Sequence, residues 1–419
     1  MKRGGETLLF LHKKRYIKLY DIYNILRLQR FFICEAFFYI YNPENWVYDC
    51  METGCRKPQS GDIRHIITKE RMYVMNSRER VAMAIAHEEP DRVPVCATYT
   101  PEIEEKLREK YGNGGDLGVI LGNDMVKIAS GLENSFYYKD TPEYVCPYGI
   151  TWRNVKNQTG HFTELVKHPL ADEEAIESYQ MPRVEDATDV IAATQKAIAE
   201  YGKDKWIIGS CQCSVFEAAW YLRGLDTFMM DLAMEEDFVD PFLDKVMEFP
   251  LQMGLKFIDL GVDMVWLGDD IATQRNMMMS PAMWRKYFKP RYAKMFAAFK
   301  QANPNIKLCY HSCGNLQDVV DDLIEIGLDV LNPIQPMAME PTAFKKRFGD
   351  RITMYGAMDV QNIMPFGTPE DVRREVKRLI EGCAPGGGFI LSPAHHIQSD
   401  TPVENVEAFY AAAREFGNY

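Results

Sequence analysis

From Met75 onward the chain repeats one pattern eight times: a short apolar or β-branched run, a break carrying polar residues, then an amphipathic helical stretch. The runs cover residues 93–98, 124–130, 206–211, 262–270, 307–313, 329–335, 352–359 and 388–396. Strand and helix alternating this many times predict an α/β fold of the (β/α)8 TIM-barrel type. Helical segments such as 318–326 and 369–381 separate the runs, and the second of these begins with the signals expected of a helix start. Thr368 stands at the N-cap, Pro369 at the first helical position, and Glu370 and Asp371 in the first turn. The long gap between the second and third strands holds residues 144–155 and 161–166, which read as an inserted hairpin that would form a lid or edge extension.

With 419 residues, 47% of them hydrophobic, the chain can bury one large core. A net charge of −12 argues against nucleic acid or an anionic membrane surface as the main partner. The ten cysteines are scattered, several of them inside apolar runs, which favours reduced thiols in a cytoplasm over a secreted disulfide framework. Residues 1–74 differ from the rest in being basic and rich in aromatics. Glu35 interrupts the longest apolar run there, so no membrane span is expected, and the opening is a poor signal peptide. We read residues 1–74 as an N-terminal extension, either an appendage or the product of an early start, and residues 75–419 as the barrel.

In such barrels the active site lies at the C-terminal ends of the strands, which is where this chain collects its polar residues. The fourth run ends in Asp269 and Asp270, the fifth in His311 and Cys313, the sixth in Gln335, the seventh in Asp359 and the eighth in His395 and His396. Each has a structural alternative: the aspartates can cap helices or turns, and Gln335 can satisfy loop backbone. His311 and Cys313 lie two residues apart on a strand, so both point to one face. Imidazole and thiolate are preferred zinc ligands, but a catalytic zinc takes three ligands from protein. The Cys211-Gln-Cys213 pair reads as core or pocket lining, Met277–Met279 as gap filling, and Gly386–Gly388 as a turn.

Four segments carry a family resemblance: Met75-Asn-Ser-Arg-Glu-Arg through Pro94-Val95, Gly268-Asp-Asp-Ile-Ala-Thr-Gln274 with Met279-Ser-Pro281, His311-Ser-Cys-Gly-Asn315, and Asp400-Thr-Pro-Val-Glu-Asn405. Together they resemble the uroporphyrinogen decarboxylase superfamily over residues 75–419. That superfamily is built on a (β/α)8 barrel and contains tetrapyrrole decarboxylases and zinc-dependent, corrinoid-linked methyltransferases. Against the decarboxylases, Asp124 resembles the aspartate that binds pyrrole nitrogens, Tyr221 the active-site tyrosine and His395 the late histidine. Where those enzymes carry arginines for substrate carboxylates, this chain has Cys96-Ala-Thr-Tyr-Thr-Pro101, with Tyr99 a candidate substrate contact.

The methyltransferase branch is the closer match. There the His-x-Cys pair supplies two zinc ligands and a late cysteine the third; here His395 occupies the cysteine's position. The resemblance therefore implies zinc on His311, Cys313 and His395, with Asp269 or Asp270 as fourth ligand or base. His396 would support a ligand or touch substrate, and Gln335 and Asp359 would contact substrate. Strand parity leaves open which histidine of the pair faces inward. The function implied is transfer of a methyl group between a corrinoid protein and a thiol, methoxy or amine substrate in the cytoplasm, in a monomer or a homo-oligomer. Two other readings stay open: a metal-free decarboxylase of a tetrapyrrole or smaller acid, in which Asp124 is essential, and a non-catalytic corrinoid or tetrapyrrole binder.

Overall fold

A computed structural model describes residues 75–136, 141–157 and 160–419; the extension read from the sequence, 1–74, lies outside the described residues. Seven strands form one parallel sheet: β1 (Met125–Ala129), β5 (Trp206–Gln212), β6 (Met264–Gly268), β7 (Lys307–His311), β8 (Val330–Ile334), β9 (Thr353–Met358) and β10 (Phe389–Pro393). Each falls within, or one residue beyond, one of the runs. They are apolar along most of their length because both faces are covered, by helices outside and by the barrel interior inside.

The eighth staves the barrel in an unusual way. Residues 93–98 stay extended between β10 and β1, bonding to β10 through Cys96 N–H to the Leu391 carbonyl and Leu391 N–H to the Pro94 carbonyl. On the β1 side much of the ladder is made by side chains. Val95 N–H donates to the Asp124 carboxylate at 2.8 Å. Asn123 exchanges two bonds with Ala97, each of 2.8 Å. Carboxylate and amide thus complete the closure where the backbone register does not.

Alternation along the strands sorts residues inward and outward. A compact cluster containing Met125, Trp206, Ile208, Met264, Trp266, Cys309, Val330, Tyr355 and Ile390 fills the barrel interior, apart from the larger core beneath the helices. Continuing the inward parity toward the strands' C-terminal ends gives Lys127, Ser210, His311, Asn332 and Ser392. The apolar floor therefore turns polar at the mouth.

The insertion is a three-stranded antiparallel sheet, one strand more than the expected hairpin: β2 (Glu143–Val145), β3 (Thr151–Asn157) and β4 (Gly160–Lys167). The extra strand arises because the run 144–155 folds back on itself. Cys146 N–H bonds the Ile150 carbonyl and Gly149 N–H the Cys146 carbonyl, and Gly149 takes φ 74° in this turn. Trp152 of β3 is buried against Phe136 and Tyr221, at ring separations of 5.4 and 5.3 Å. The helix start at Thr368 forms as expected, with a reciprocal capping box between Thr368 and Asp371.

Candidate metal centre at the barrel mouth

His311 is the last residue of β7, and its register partner on β6 is Gly268. Gly268 has φ 149°, and a side chain there would strike the His311 backbone at 2.2 Å. Glycine is therefore what lets β6 end against the histidine. Immediately after it come Asp269 and Asp270, which the structure separates into two roles.

Asp269 is fully buried and accepts N–H bonds from Val215, Phe216 and Glu217 at 2.9–3.2 Å, with the Tyr292 hydroxyl on the same carboxylate. It anchors the first turn of the helix Phe216–Arg223. This corrects its candidacy as ligand or base, since both its oxygens are committed to that helix.

Asp270 instead faces the mouth. Its Oδ1 lies 3.5 Å from His311 Nε2 and accepts the Cys313 N–H at 2.8 Å. The Cys313 Sγ stands 3.7 Å from the same Nε2, and one ligand atom from each of Asp270, His311 and Cys313 falls within 4.8 Å of the others. His311 Nδ1 pairs with Asn332 Oδ1 at 2.7 Å. Because an amide oxygen only accepts, Nδ1 carries a proton, and Nε2 is the ring nitrogen that faces the other two groups.

Imidazole, thiolate and carboxylate around one point make a donor set that suits zinc. The electrostatics agree: burial works against a charged His311, yet Cys313 and Asp270 outweigh it and raise its pKa well above the usual value. Positive charge is thus stabilised where the three donors converge. The cysteine loop is held in turn by Gln335, whose Oε1 accepts the Gly314 N–H at 2.8 Å. Gly314 takes φ 89°, and a side chain there would meet the Thr273 and Ala272 carbonyls at 2.5–2.6 Å.

His395 flanks this set. Its ring centroid is 6.4 Å from that of His311, and the third member of the tight group is Asp270. Burial of the imidazole and the neighbouring His311 push the His395 pKa down to about 4, although the residue as a whole is exposed. His396 is held well below the usual range by burial and by His395, and its buried Nδ1 has no hydrogen-bond partner.

Three other expected contacts are corrected. Asp124 precedes β1, at the end of the barrel opposite His311; its carboxylate is filled by Arg80, Arg92 and Val95 N–H at 2.8–2.9 Å. The Tyr99 hydroxyl is 2.5 Å from that of Tyr410, which bonds Asn123, so its polar tip is used in packing the helix Val403–Phe416. Asp359 accepts the N–H groups of Gln361 and Asn362 at 2.7 and 3.1 Å and serves the turn there. Gln335 likewise serves loop backbone, but the loop is the one that carries Cys313. Tyr221 packs beneath the inserted sheet, its pKa raised well above the usual value by burial and by Cys213 and Glu217. Cys211 and Cys213 are both buried.

Sequence reasoning missed Asn332, Lys127 and Glu217. The first two could have been found by extending the inward parity of their strands. Glu217 could not, because it reaches the mouth through the helix start that Asp269 organises; there its Oε2 accepts the Asp270 N–H at 2.9 Å. Asn332 gives a direct prediction. Asn332→Leu removes the acceptor that fixes His311 and should weaken zinc binding roughly 10–100-fold, measured by competition with a chromophoric chelator; an unchanged affinity would rule out the orienting role.

Fold and site together define a (β/α)8-barrel protein with a metal-type donor set at the C-terminal end of its strands. The family model described as uroporphyrinogen decarboxylase (URO-D) matches residues 136–416. The chain belongs to this family. The methylcobamide:CoM methyltransferase MtaA of Methanosarcina barkeri is 25% identical over 227 residues, 54% of this chain and 63% of that protein. A methylated-thiol–coenzyme M methyltransferase of Methanosarcina mazei is 22% identical over 201 residues, 48% of this chain and 51% of that protein. A uroporphyrinogen decarboxylase of Nostoc punctiforme is 23% identical over 257 residues, 60% of this chain and 70% of that protein. The matches to the two methyltransferases thus span only half to two thirds of those proteins' length. A solved methyltransferase structure from Methanosarcina mazei has the same fold, with a TM-score of 0.64 at 23% identity over 82% of this chain and 99% of that one. Among the described residues no helix is long and apolar enough to cross a membrane.

Proposed function

We propose that this protein is a zinc-dependent methyltransferase that moves a methyl group between a corrinoid carried by a partner protein and a small substrate, a thiol in the first instance. The observation that carries this reading is the convergence of Asp270, His311 and Cys313 within 4.8 Å at the barrel mouth. Zinc held there would lower the pKa of a coordinated thiol and keep it ionised at neutral pH.

The chain's own residues prepare that centre. Asn332 holds the His311 tautomer, Gln335 and Asp270 hold the backbone around Cys313, and Trp266 lies against His311 at 5.9 Å with its ring nearly parallel. His395, whose pKa is lowered, faces the same space and can accept a hydrogen bond from substrate. The methyltransferase names among the relatives support the reaction class, and the free thiols of the described cysteines suit a cytoplasmic setting. In this reading residues 75–419 are the catalytic barrel and 1–74 an extension.

The decarboxylase alternative has less behind it. Asp124 lies at the opposite end of the barrel, and among the described residues no arginine lines the chamber beside His311. That chamber, about 40 Å³, has room for a few water-sized groups. Elemental analysis of protein expressed with ample zinc should find about one tightly held zinc per chain, as a complete site requires. Metal-free protein under those conditions would end the proposal.

A further inference from the structure

Below the donor set, the chamber beside His311 is lined by Thr98, Lys127, Trp266, Tyr355 and His396 among others. Lys127 is the one fixed cation among its described lining residues. Its Nζ lies 4.8 Å from the centre of the Trp266 ring and 2.6 Å from Glu133 Oε1. The other Glu133 oxygen accepts the Ser210 hydroxyl at 2.5 Å. Both members of the pair are largely covered, with side chains 14% and 12% exposed. Burial alone would raise the Glu133 pKa, but Lys127 and Ser210 hold it below the usual value, which favours the carboxylate facing the lysine.

The lysine's charge is therefore cancelled before any ligand arrives. We propose that the Lys127–Glu133 pair makes this chamber selective for a small substrate with an uncharged polar tail over one with an anionic tail. The inference rests on the reading of His311 and its neighbours as the reacting centre, and extends it to substrate class. An anionic tail would have to shed water while meeting a cation already paired with a carboxylate. A hydroxyl or amide tail meets a suitable partner, because the buried His396 Nδ1 is unpaired and a neutral imidazole nitrogen donates or accepts according to tautomer.

The test is calorimetric titration of the full chain with two thiols of similar size, 2-mercaptoethanol and 3-mercaptopropionate, with zinc content assayed on the same samples. The wild type should bind the neutral thiol at least about tenfold more tightly, as expected when an anionic tail must shed water with no unpaired cation to receive it. Glu133→Gln keeps the shape and unmasks Lys127, so the ratio should fall about tenfold or reverse. The double variant Lys127→Met/Glu133→Gln removes both charges, guards against misfolding of the single one, and should keep the wild-type preference. Equal or tighter binding of 3-mercaptopropionate by the wild type, or an unchanged ratio in Glu133→Gln, overturns the proposal. The zinc assay reports separately on the metal reading, and in zinc-free protein the ratio between the two thiols still decides the selectivity.

Discussion

Alanine at His311 or serine at Cys313 should leave the purified protein with less than about a tenth of the wild-type zinc, because each removes one of three protein donors and a catalytic zinc seldom has a fourth to spare. Asp270 needs a subtler substitution, since its Oδ1 also accepts the Cys313 N–H. Asp270→Asn keeps an acceptor there and removes the charge. It should weaken zinc by at least the roughly 10–100-fold that loss of an orienting partner costs. His395→Ala should matter less, under about tenfold by the same scale, because its ring stands apart from the tight group. Chelator competition gives these affinities, and circular dichroism melts show whether the fold survives. If His311→Ala and Cys313→Ser retain full zinc, the site is wrong. If His395→Ala loses as much as Asp270→Asn, the ligand set inferred from the late histidine is the better one.

The contrast between Asp269 and Asp270 shows where reading the chain reached its limit. The barrel was legible because parallel strands covered on both faces must be apolar, and eight such runs with helices between them admit few other folds. His311 and Cys313 were legible because they end one of those runs. The division of labour between adjacent aspartates was not, because it depends on where the helix Phe216–Arg223 begins, more than fifty residues earlier in the chain. Its N–H groups claim Asp269 and leave Asp270 to the mouth. The same holds for Asp124, whose partners come from two arginines and a strand edge. Asn332 was within reach, two residues beyond the inward-facing Val330, but an asparagine followed by proline in an apolar run carries no chemical signal until the histidine beside it is known.

These placements also set the electrostatic character of the mouth. Glu217 is buried beside Asp270, and burial together with the two aspartates raises its pKa well above the usual value. Its protonated form is favoured there, which limits the negative charge beside the donor set. With Lys127 paired to Glu133, a divalent metal held here would take its anionic donors from Asp270 and the Cys313 thiolate. Two anionic donors balance a divalent cation, so the metal-loaded mouth would be nearly neutral. A neutral centre next to a neutral chamber is the setting in which an uncharged substrate competes best.

Asp124→Ala should destabilise the barrel by about 3–5 kcal/mol, the usual cost of stripping one partner from a buried ion pair. Asp124 is fully buried and pairs with Arg80, itself only 6% exposed, and with Arg92. It also closes the barrel seam by accepting the Val95 N–H. Removing it takes from Arg92 the carboxylate it pairs with, leaves Arg80 with Asp91 alone, and strands one strand-edge donor. Asp124→Asn should cost less, because the amide oxygen can still take the Val95 bond while the charge is lost. Chemical denaturation measures both. In neither variant should zinc content or turnover per folded molecule change, since the residue lies at the far end of the strands from His311. The decarboxylase reading expects the reverse, a stable barrel that has lost its chemistry. An Asp124→Ala protein that melts like wild type yet is inactive would therefore return Asp124 to the active site and favour the decarboxylase reading.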